Sequence, residues 1–146
     1  MHMKSGNLDQ EFIKRLKERG ERVTSPRLAI FRLLVQHNPL PMGKLSFYAK
    51  ENGVDTVTVY RTIFLFKRLS LVQEVGVGSQ RLLELTDGFG SHHHHFWCSR
   101  CGKIIDFDDP NLELALRQAT KSLNITLVSH QLEMIGLCPD CRIGPV

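Results

Sequence analysis

The four cysteines of this 146-residue chain form two CxxC pairs, Cys98–Cys101 and Cys138–Cys141, separated by 36 residues. Four thiolates in two such pairs are the ligand set of tetrahedral structural zinc, and they leave no open position for a catalytic zinc. Two disulfides are the alternative, but the sequence shows no secretory signal pattern, so we expect a reducing cytoplasmic location where disulfides rarely persist. We predict one structural Zn²⁺ per chain, with a thiol redox switch as a second interpretation.

A run of four histidines, His92 to His95, lies just before the first CxxC pair. If this segment is extended, His93 and His95 point to one side and His92 and His94 to the other. Imidazole binds zinc, iron, manganese, nickel and copper to differing degrees. The run therefore can serve two metal sites, although a solvated polar turn or a purification tag is the simpler alternative.

Composition and charge place these residues in a folded chain with two unlike halves. The apolar fraction is 42% and the charged fraction 23%, which is typical of a folded domain. We find no apolar run near the roughly 20 residues that span a bilayer, and expect no membrane partner. Residues 1–91 carry a net charge of +5 and residues 92–146 a net charge of −1. This asymmetry favours a basic half that binds a polyanion.

Apolar residues recur at helical spacing through the N-terminal half. A first helix is predicted over residues 8–19, and a second starts at Thr24-Ser25-Pro26, where a hydroxyl can cap it, and ends at Asn38-Pro39-Leu40-Pro41. A third covers 42–52, and Asp55-Thr56 can cap a fourth. Residues 71–75 and 81–85, joined by a glycine-containing turn at 76–80, predict a β-hairpin. Helices followed by a hairpin are the order of a winged helix-turn-helix.

The fourth helix is the candidate DNA reader. Its buried face is predicted to carry Val59, Ile63, Phe66 and Leu69, which leaves Thr58, Tyr60, Arg61 and Thr62 on its other sides. Arg61 can bond guanine edges or phosphate, and Tyr60 can contact a thymine methyl or phosphate. Other basic residues of this half are candidate phosphate contacts, with ordinary solvated charges as the alternative: Lys14, Arg15, Arg19, Arg27 and Arg81.

The C-terminal half predicts a smaller mixed unit, so the fold class is α+β. Glycine and small polar residues at 86–91 indicate a hinge, and we place the domains at 1–87 and 88–146. Strands are expected near Phe96-Trp97, over 103–107 and over 125–135, with a helix from about 110 to 123. The two-residue period of the last strand places His130 among apolar neighbours.

Several motifs together resemble the ferric uptake regulator (Fur) family. They are Val23-Thr24-x-Pro26-Arg27, Thr58-Val59-Tyr60-Arg61, the histidine run, the segment from Cys98-x-x-Cys101 to Phe107, and the final CxxC pair. The resemblance implies a homodimeric, metal-dependent repressor that binds a palindromic operator in double-stranded DNA. It also implies an N-terminal winged helix and a C-terminal α/β dimerisation domain.

The resemblance also implies three metal sites. The structural zinc falls on Cys98, Cys101, Cys138 and Cys141, in agreement with the spacing argument. A hinge site built from both domains would use Glu84, His93 and His95, and in some members the acid that matches Asp106. A second site in the dimerisation domain would use His92, His94, Glu113 and His130. The regulatory ion would be Fe²⁺, Zn²⁺ or Mn²⁺.

Two positions depart from the family pattern. A histidine that the family supplies to the hinge site aligns with Leu40, which cannot bind metal. His37 would replace it only if the loop were rearranged. His94 stands where many iron-responsive members have aspartate, which gives a set of three histidines and one glutamate that also suits zinc, nickel or copper.

These departures define the alternatives to a metal-responsive repressor. One is a winged-helix DNA-binding protein whose zinc is only structural. Another is peroxide sensing, which in one branch of the family uses iron-catalysed oxidation of ligand histidines and relies on the histidine missing at position 40. A small zinc hydrolase would need a substrate pocket that nothing in the sequence indicates, so we expect no enzyme.

Overall fold

A computed structural model describes residues 5–76 and 81–143 of the chain. The chain divides into two compact units, Met1–Ser91 and His92–Val146. None of the helices in the described ranges combines the length and apolarity that a bilayer crossing requires.

The first unit opens with four helices in the described residues, and side-chain caps mark the starts of the second and fourth. The Thr24 hydroxyl accepts a hydrogen bond from the backbone N–H of Arg27, and the Asp55 carboxylate accepts one from Thr58 at 2.9 Å. Both caps confirm the predicted starts of the second and fourth helices. The helices are α1 (Ser5–Glu18), α2 (Ser25–Gln36), α3 (Met42–Glu51) and α4 (Thr56–Arg68).

Three phenylalanines join α1, α2 and α4 in the core of this unit. Phe12 and Phe31 stack with ring centroids 4.2 Å apart, and Phe66 meets Phe12 edge-on at 5.3 Å. All three side chains are fully buried. The predicted face of α4 packs here as well, because Val59, Ile63 and Leu69 are also buried.

A hairpin follows the helices and completes a winged helix-turn-helix. Strands β1 (Val72–Val75) and β2 (Leu82–Leu85) pair antiparallel. Leu40 joins the far side of β2 through two backbone hydrogen bonds with Leu83. Residues 77–80 of the predicted turn lie outside the described residues. A short 3₁₀ turn, Asp87–Phe89, follows β2.

The second unit is a three-stranded sheet with two helices. Its strands are β3 (His94–Cys98), β4 (Ile104–Phe107) and β5 (Glu133–Gly136). β3 is central, antiparallel to β4 and parallel to β5. Helix α5 (Pro110–Ser122) connects β4 towards β5, and α6 (Pro139–Ile143) follows β5. The Asp109 side chain caps α5 through the backbone N–H of Asn111 at 2.9 Å.

The strand predicted over 125–135 is wrong for its first eight residues, since only Glu133–Gly136 pairs with β3. Alternation of apolar residues indicates which side chains share a face, but a strand also needs a neighbour for its backbone groups. The unpaired stretch is open to solvent, and Val128 is 93% exposed. Apolar side chains of this unit form a large exposed set: Leu114, Leu123, Ile125, Leu127, Val128, Met134, Ile135, Leu137 and Ile143.

Candidate metal centres and nucleic-acid interface

The four cysteines converge at one end of the second unit. Cys98 ends β3, and its parallel register with Gly136 on β5 brings Cys138 alongside. Cys101 lies in the turn after β3, and Cys141 lies on α6. One sulfur from each residue lies within 4.8 Å of the others, and none forms a disulfide. This arrangement matches the predicted zinc ligand set.

The electrostatics of the cysteine cluster favour a cation. Backbone N–H groups of Cys138 and Cys101 stabilise the Cys98 thiolate and lower its pKa to about 6. Burial and the neighbouring thiols raise the pKa of Cys141 to about 12. A positive ion would compensate the charge of deprotonated sulfurs in this cluster, which is the role of zinc in a four-thiolate site.

A second cluster brings three imidazoles to one carboxylate oxygen. Glu113 Oε1 lies 2.9 Å from Nε2 of His94, 3.1 Å from Nε2 of His130 and 3.3 Å from Nε2 of His92. His92 and His94 precede and begin β3, Glu113 lies in the first turn of α5, and His130 lies in the unpaired segment. His130 thus lies beside the residues that the resemblance implied, in a segment that is not the strand whose period predicted apolar neighbours.

The protonation of this second cluster also fits a metal ion. Nε2 of His92 and Nε2 of His130 are 3.1 Å apart, so only one of the two can donate a proton to the other. Hydrogen bonds from His94 and then His130 lower the pKa of Glu113. Four electron-pair donors, an anionic oxygen among them, lie within 4.8 Å of one another. Three nitrogens and one carboxylate are a common ligand set for divalent first-row metals.

The remaining predicted metal ligands are found on both units. In the second unit, His95 lies opposite Asp106 across β3 and β4, and its Nδ1 is 2.9 Å from the carboxylate. The His93 ring lies edge-on to that of His95, with centroids 4.9 Å apart. In the first unit, Glu84 lies on β2 and accepts a hydrogen bond from Gln73 at 3.1 Å.

The structure explains the departure at Leu40 and shows what its possible replacement, His37, contacts. Leu40 is 4% exposed, and its side chain belongs to the hydrophobic core of the first unit. His37 follows α2 and stacks on Tyr48, with ring centroids 4.7 Å apart. Leu40 therefore has a packing role at a position where the resemblance implies a ligand.

The outer face of α4 carries some of the predicted DNA contacts. Tyr60 and Arg61 are exposed, whereas Thr58 is half-buried and its hydroxyl donates to Asp55 at 2.6 Å. Thr62 is only 5% exposed. Its spacing of three residues from Val59 places it beside the buried face, a signal that the sequence already contained.

Other basic residues predicted to contact phosphate make contacts within the first unit. Arg27 pairs with Glu21 at 3.2 Å, and Arg19 donates to the carbonyl of Leu69 at 3.4 Å. The Arg15 guanidinium lies 4.6 Å from the centre of the Phe89 ring and donates to the carbonyl of Gly88 at 3.1 Å. These bonds occupy some of the five N–H donors of each guanidinium and fix where the remaining donors lie.

Sequence reasoning missed two exposed apolar residues on α4. Val57 is 59% exposed and Phe64 is 70% exposed. They are seven residues apart, so they share a side of the helix with Tyr60 and Arg61. Their position opposite the Val59, Ile63 and Phe66 stripe was the signal that could have identified them.

Comparisons with known proteins agree with this architecture. The model of the ferric uptake regulator family matches residues 18–135. The peroxide-responsive repressor PerR of Staphylococcus epidermidis is 30% identical over 139 residues, which cover 91% of this chain and 89% of that protein. The ferric uptake regulator of Pseudomonas aeruginosa, solved with manganese, has a TM-score of 0.75 at 25% identity, over 86% of this chain and 96% of that one.

A second solved relative has DNA-binding domains that rearrange. The Vibrio cholerae ferric uptake regulator has a TM-score of 0.68 at 27% identity, over 87% of this chain and 99% of that one. The matched segment runs from the end of α1 to β5 and includes both histidine clusters and the first CxxC pair, Cys98 and Cys101. The chain belongs to the ferric uptake regulator family.

Proposed function

We propose that the protein is a metal-responsive, DNA-binding transcriptional repressor that acts in the cytoplasm and controls metal homeostasis or metal-dependent stress genes. The observation that carries the proposal is the convergence of His92, His94 and His130 on Glu113, apart from the four cysteines. A zinc-only structural protein has no use for a second cluster of this kind. The related repressor and the manganese-bound regulator support the same function.

Each unit has its own task in this proposal. Residues 1–87 form the winged-helix DNA-binding domain, and residues 88–146 form the metal-binding dimerisation domain. One Zn²⁺ on the four cysteines supports the fold of the second. A second copy of the chain covers the apolar side chains that the second unit leaves exposed, because such a surface on a monomer marks an interaction site.

The regulatory ion is Fe²⁺, Zn²⁺ or Mn²⁺, held by His92, His94, Glu113 and His130. The ion would supply the positive charge that the Glu113 carboxylate attracts and would accept the electron pairs of all three imidazoles at once. Glu113 holds the cluster together from α5, and His94 orients it from the central strand. His130 anchors the unpaired segment that would otherwise have few contacts with the sheet.

A hinge site is the proposed link between metal and DNA. Glu84 from the wing, with His93, His95 and Asp106 from the second domain, would bind one ion. A metal ion that binds one arrangement of the two domains more tightly shifts the population of the protein towards that arrangement. Because Leu40 offers no ligand, this site binds more weakly than one with a histidine there, and the His–Glu cluster carries more of the regulation.

DNA recognition is assigned to α4 and the basic residues around it. Tyr60 and Arg61 contact the major groove, with Thr58, Thr62, Arg27, Arg15 and Arg19 as the further proposed contacts. A homodimer places two such helices on one duplex, which requires a palindromic or near-palindromic operator.

A titration with two ions tests the proposal. Protein that holds one Zn²⁺ per chain is mixed with an operator selected from random duplexes, and Fe²⁺, Mn²⁺ or further Zn²⁺ is added. The proposal expects DNA affinity to rise at least about tenfold, a coupling within the usual allosteric range. The double variant His130→Ala and Glu113→Ala should lose this response and keep its first zinc. Full DNA affinity with one zinc per chain, unchanged by further metal, would favour the purely structural alternative.

Peroxide sensing is a second candidate, because the matched Staphylococcus relative is a peroxide-responsive repressor. Exposure of the Fe²⁺-loaded protein to peroxide, followed by peptide mass spectrometry, tests it directly. Gain of one oxygen atom on a ligand histidine, with loss of DNA binding, would support peroxide sensing. Unmodified histidines and intact DNA binding would exclude peroxide sensing, so that metal sensing would be the remaining proposed function.

A further inference from the structure

The outer side of α4 carries an apolar ridge that the fold does not use. Val57, Tyr60 and Phe64 are 59%, 54% and 70% exposed. Their spacings of three, four and seven residues place them on one side of the helix. The opposite side already supplies the core through Val59, Ile63 and Phe66, so the ridge adds nothing to the packing of this unit.

The surroundings of the ridge fit a polyanion. Helix α4 contains no aspartate or glutamate, and it carries Arg61, Lys67 and Arg68. Lys67 pairs with Glu74 and Arg68 with Glu21, whereas Arg61 is exposed beside Tyr60 on the same side as the ridge. A partner must therefore combine negative charge at its edges with an apolar centre.

Double-stranded DNA has this combination in its major groove. The groove is about 12 Å wide and admits one α-helix between two phosphate backbones. The apolar group on its floor is the C5 methyl of thymine, which side chains such as phenylalanine contact. We infer that the ridge formed by Val57, Tyr60 and Phe64 reads thymine methyl groups, and that Phe64 is a specificity-determining residue. This inference rests on the proposed DNA-binding function, in which Tyr60 is already a candidate thymine contact, and adds Val57 and Phe64 as residues that determine specificity.

A thymine-to-uracil replacement in the DNA tests the inference, because uracil lacks only the methyl group. The Zn²⁺-loaded full chain is used to select a duplex from a random pool, and the same duplex is then made with deoxyuridine in place of thymine. Wild-type protein should bind the uracil duplex about fourfold more weakly for each methyl group it contacts, the worth of one buried CH₂. Phe64→Ala should bind the thymine duplex more weakly than the wild type does. Its preference for the thymine duplex over the uracil duplex should also be smaller than that of the wild type by a factor of at least about four.

Phe47 provides the matched control. It is an exposed phenylalanine on α3, 61% exposed, so Phe47→Ala removes the same surface from another helix. That variant should discriminate thymine from uracil as the wild type does. Because Phe64 is mostly exposed, both variants should keep the wild-type Tm. A Phe64→Ala protein that discriminates fully, or that loses affinity equally for both duplexes, overturns the inference and leaves metal-dependent DNA binding intact. Failure to enrich any duplex would overturn the proposed function as well.

Discussion

Nε2 of His94 lies 2.9 Å from Oε1 of Glu113, and the His94 side chain is almost completely buried. This contact joins the central strand to α5 at the proposed regulatory site. Glu113→Gln keeps the shape of the side chain and removes its charge. We expect the affinity for the second metal to fall by about ten- to a hundredfold, while the first zinc is retained.

Competition with a chelator, on protein already loaded with zinc, measures this affinity for Mn²⁺. Asp108→Asn is the matched control, because it removes one carboxylate charge from an exposed position just before α5. Equal Mn²⁺ affinity in wild type and Glu113→Gln would exclude Glu113 as a ligand.

Cys138→Ser tests the four-cysteine centre. Cys138 is 1% exposed, and its backbone N–H also supports the Cys98 sulfur. Loss of one thiolate should lower the zinc content below one per chain and unfold the second unit. Trp97, the single tryptophan, is buried next to Cys98, so its emission should shift to longer wavelength. Asp140→Asn should leave both zinc content and emission unchanged. A folded, zinc-loaded Cys138→Ser protein would contradict a structural role.

Gly88→Ala tests the contact between α1 and the 3₁₀ turn. A Cβ atom at Gly88 would overlap Nη1 of Arg15 and displace the guanidinium from Phe89. Loss of the cation–π contact and one hydrogen bond should lower the free energy of unfolding by about 1 kcal/mol. Gly90→Ala is the control, since nothing lies within 4 Å of its added Cβ. Urea unfolding of the first unit measures both, and equal stability would show that Arg15 contributes nothing there.

Leu40→His restores the residue type that the resemblance implies, but in a buried position. Its imidazole would replace apolar contacts in the core, at a cost of about 2–4 kcal/mol in the free energy of unfolding. Leu40→Met should cost less than about 1.5 kcal/mol. Denaturant titrations of the metal-free proteins measure both values. A Leu40→His protein as stable as wild type would mean that the imidazole leaves the core.

Val128→Glu tests the proposed homodimer. Val128 is 93% exposed in the unpaired segment, where a second chain would cover it. A carboxylate at that position would be buried without a partner, so the dimer Kd should rise at least about tenfold. Sedimentation across a concentration series measures the Kd. Val57→Glu, at an exposed valine of the first unit, should dimerise normally. An unchanged Kd for Val128→Glu would place the interface elsewhere.

Local signals predicted much of this fold. The cap signals near Thr24 and Asp55 predicted two helix starts to within a residue, because a capping side chain bonds a backbone N–H only three positions away. The cysteine cluster was predicted on different grounds, because two CxxC pairs supply the four thiolates that one tetrahedral zinc requires.

Long-range pairing could not be derived in this way. Alternating apolar residues suggested a strand from residue 125, but backbone pairing with β3 begins only at Glu133. The strand period also predicted apolar neighbours for His130, but His130 does not lie in a strand. Its polar neighbours come from α5 and from the residues just before β3. Thr62 shows a different failure, because its chemistry suggested DNA contact while its helical position placed it against the core.

The central strand has a consequence for the order of metal loading. His94 and Cys98 are at opposite ends of β3, about 13 Å apart at a rise of about 3.3 Å per residue. Hydrogen bonds to β4 and β5 on both sides keep that length constant. With Zn²⁺ on four thiolates the cysteine centre carries two negative charges, and at this distance it attracts a divalent cation by on the order of 1 kcal/mol in water before salt screening. A zinc-filled cysteine centre therefore adds a small, salt-dependent attraction for the second cation, which we expect to be strongest at low ionic strength.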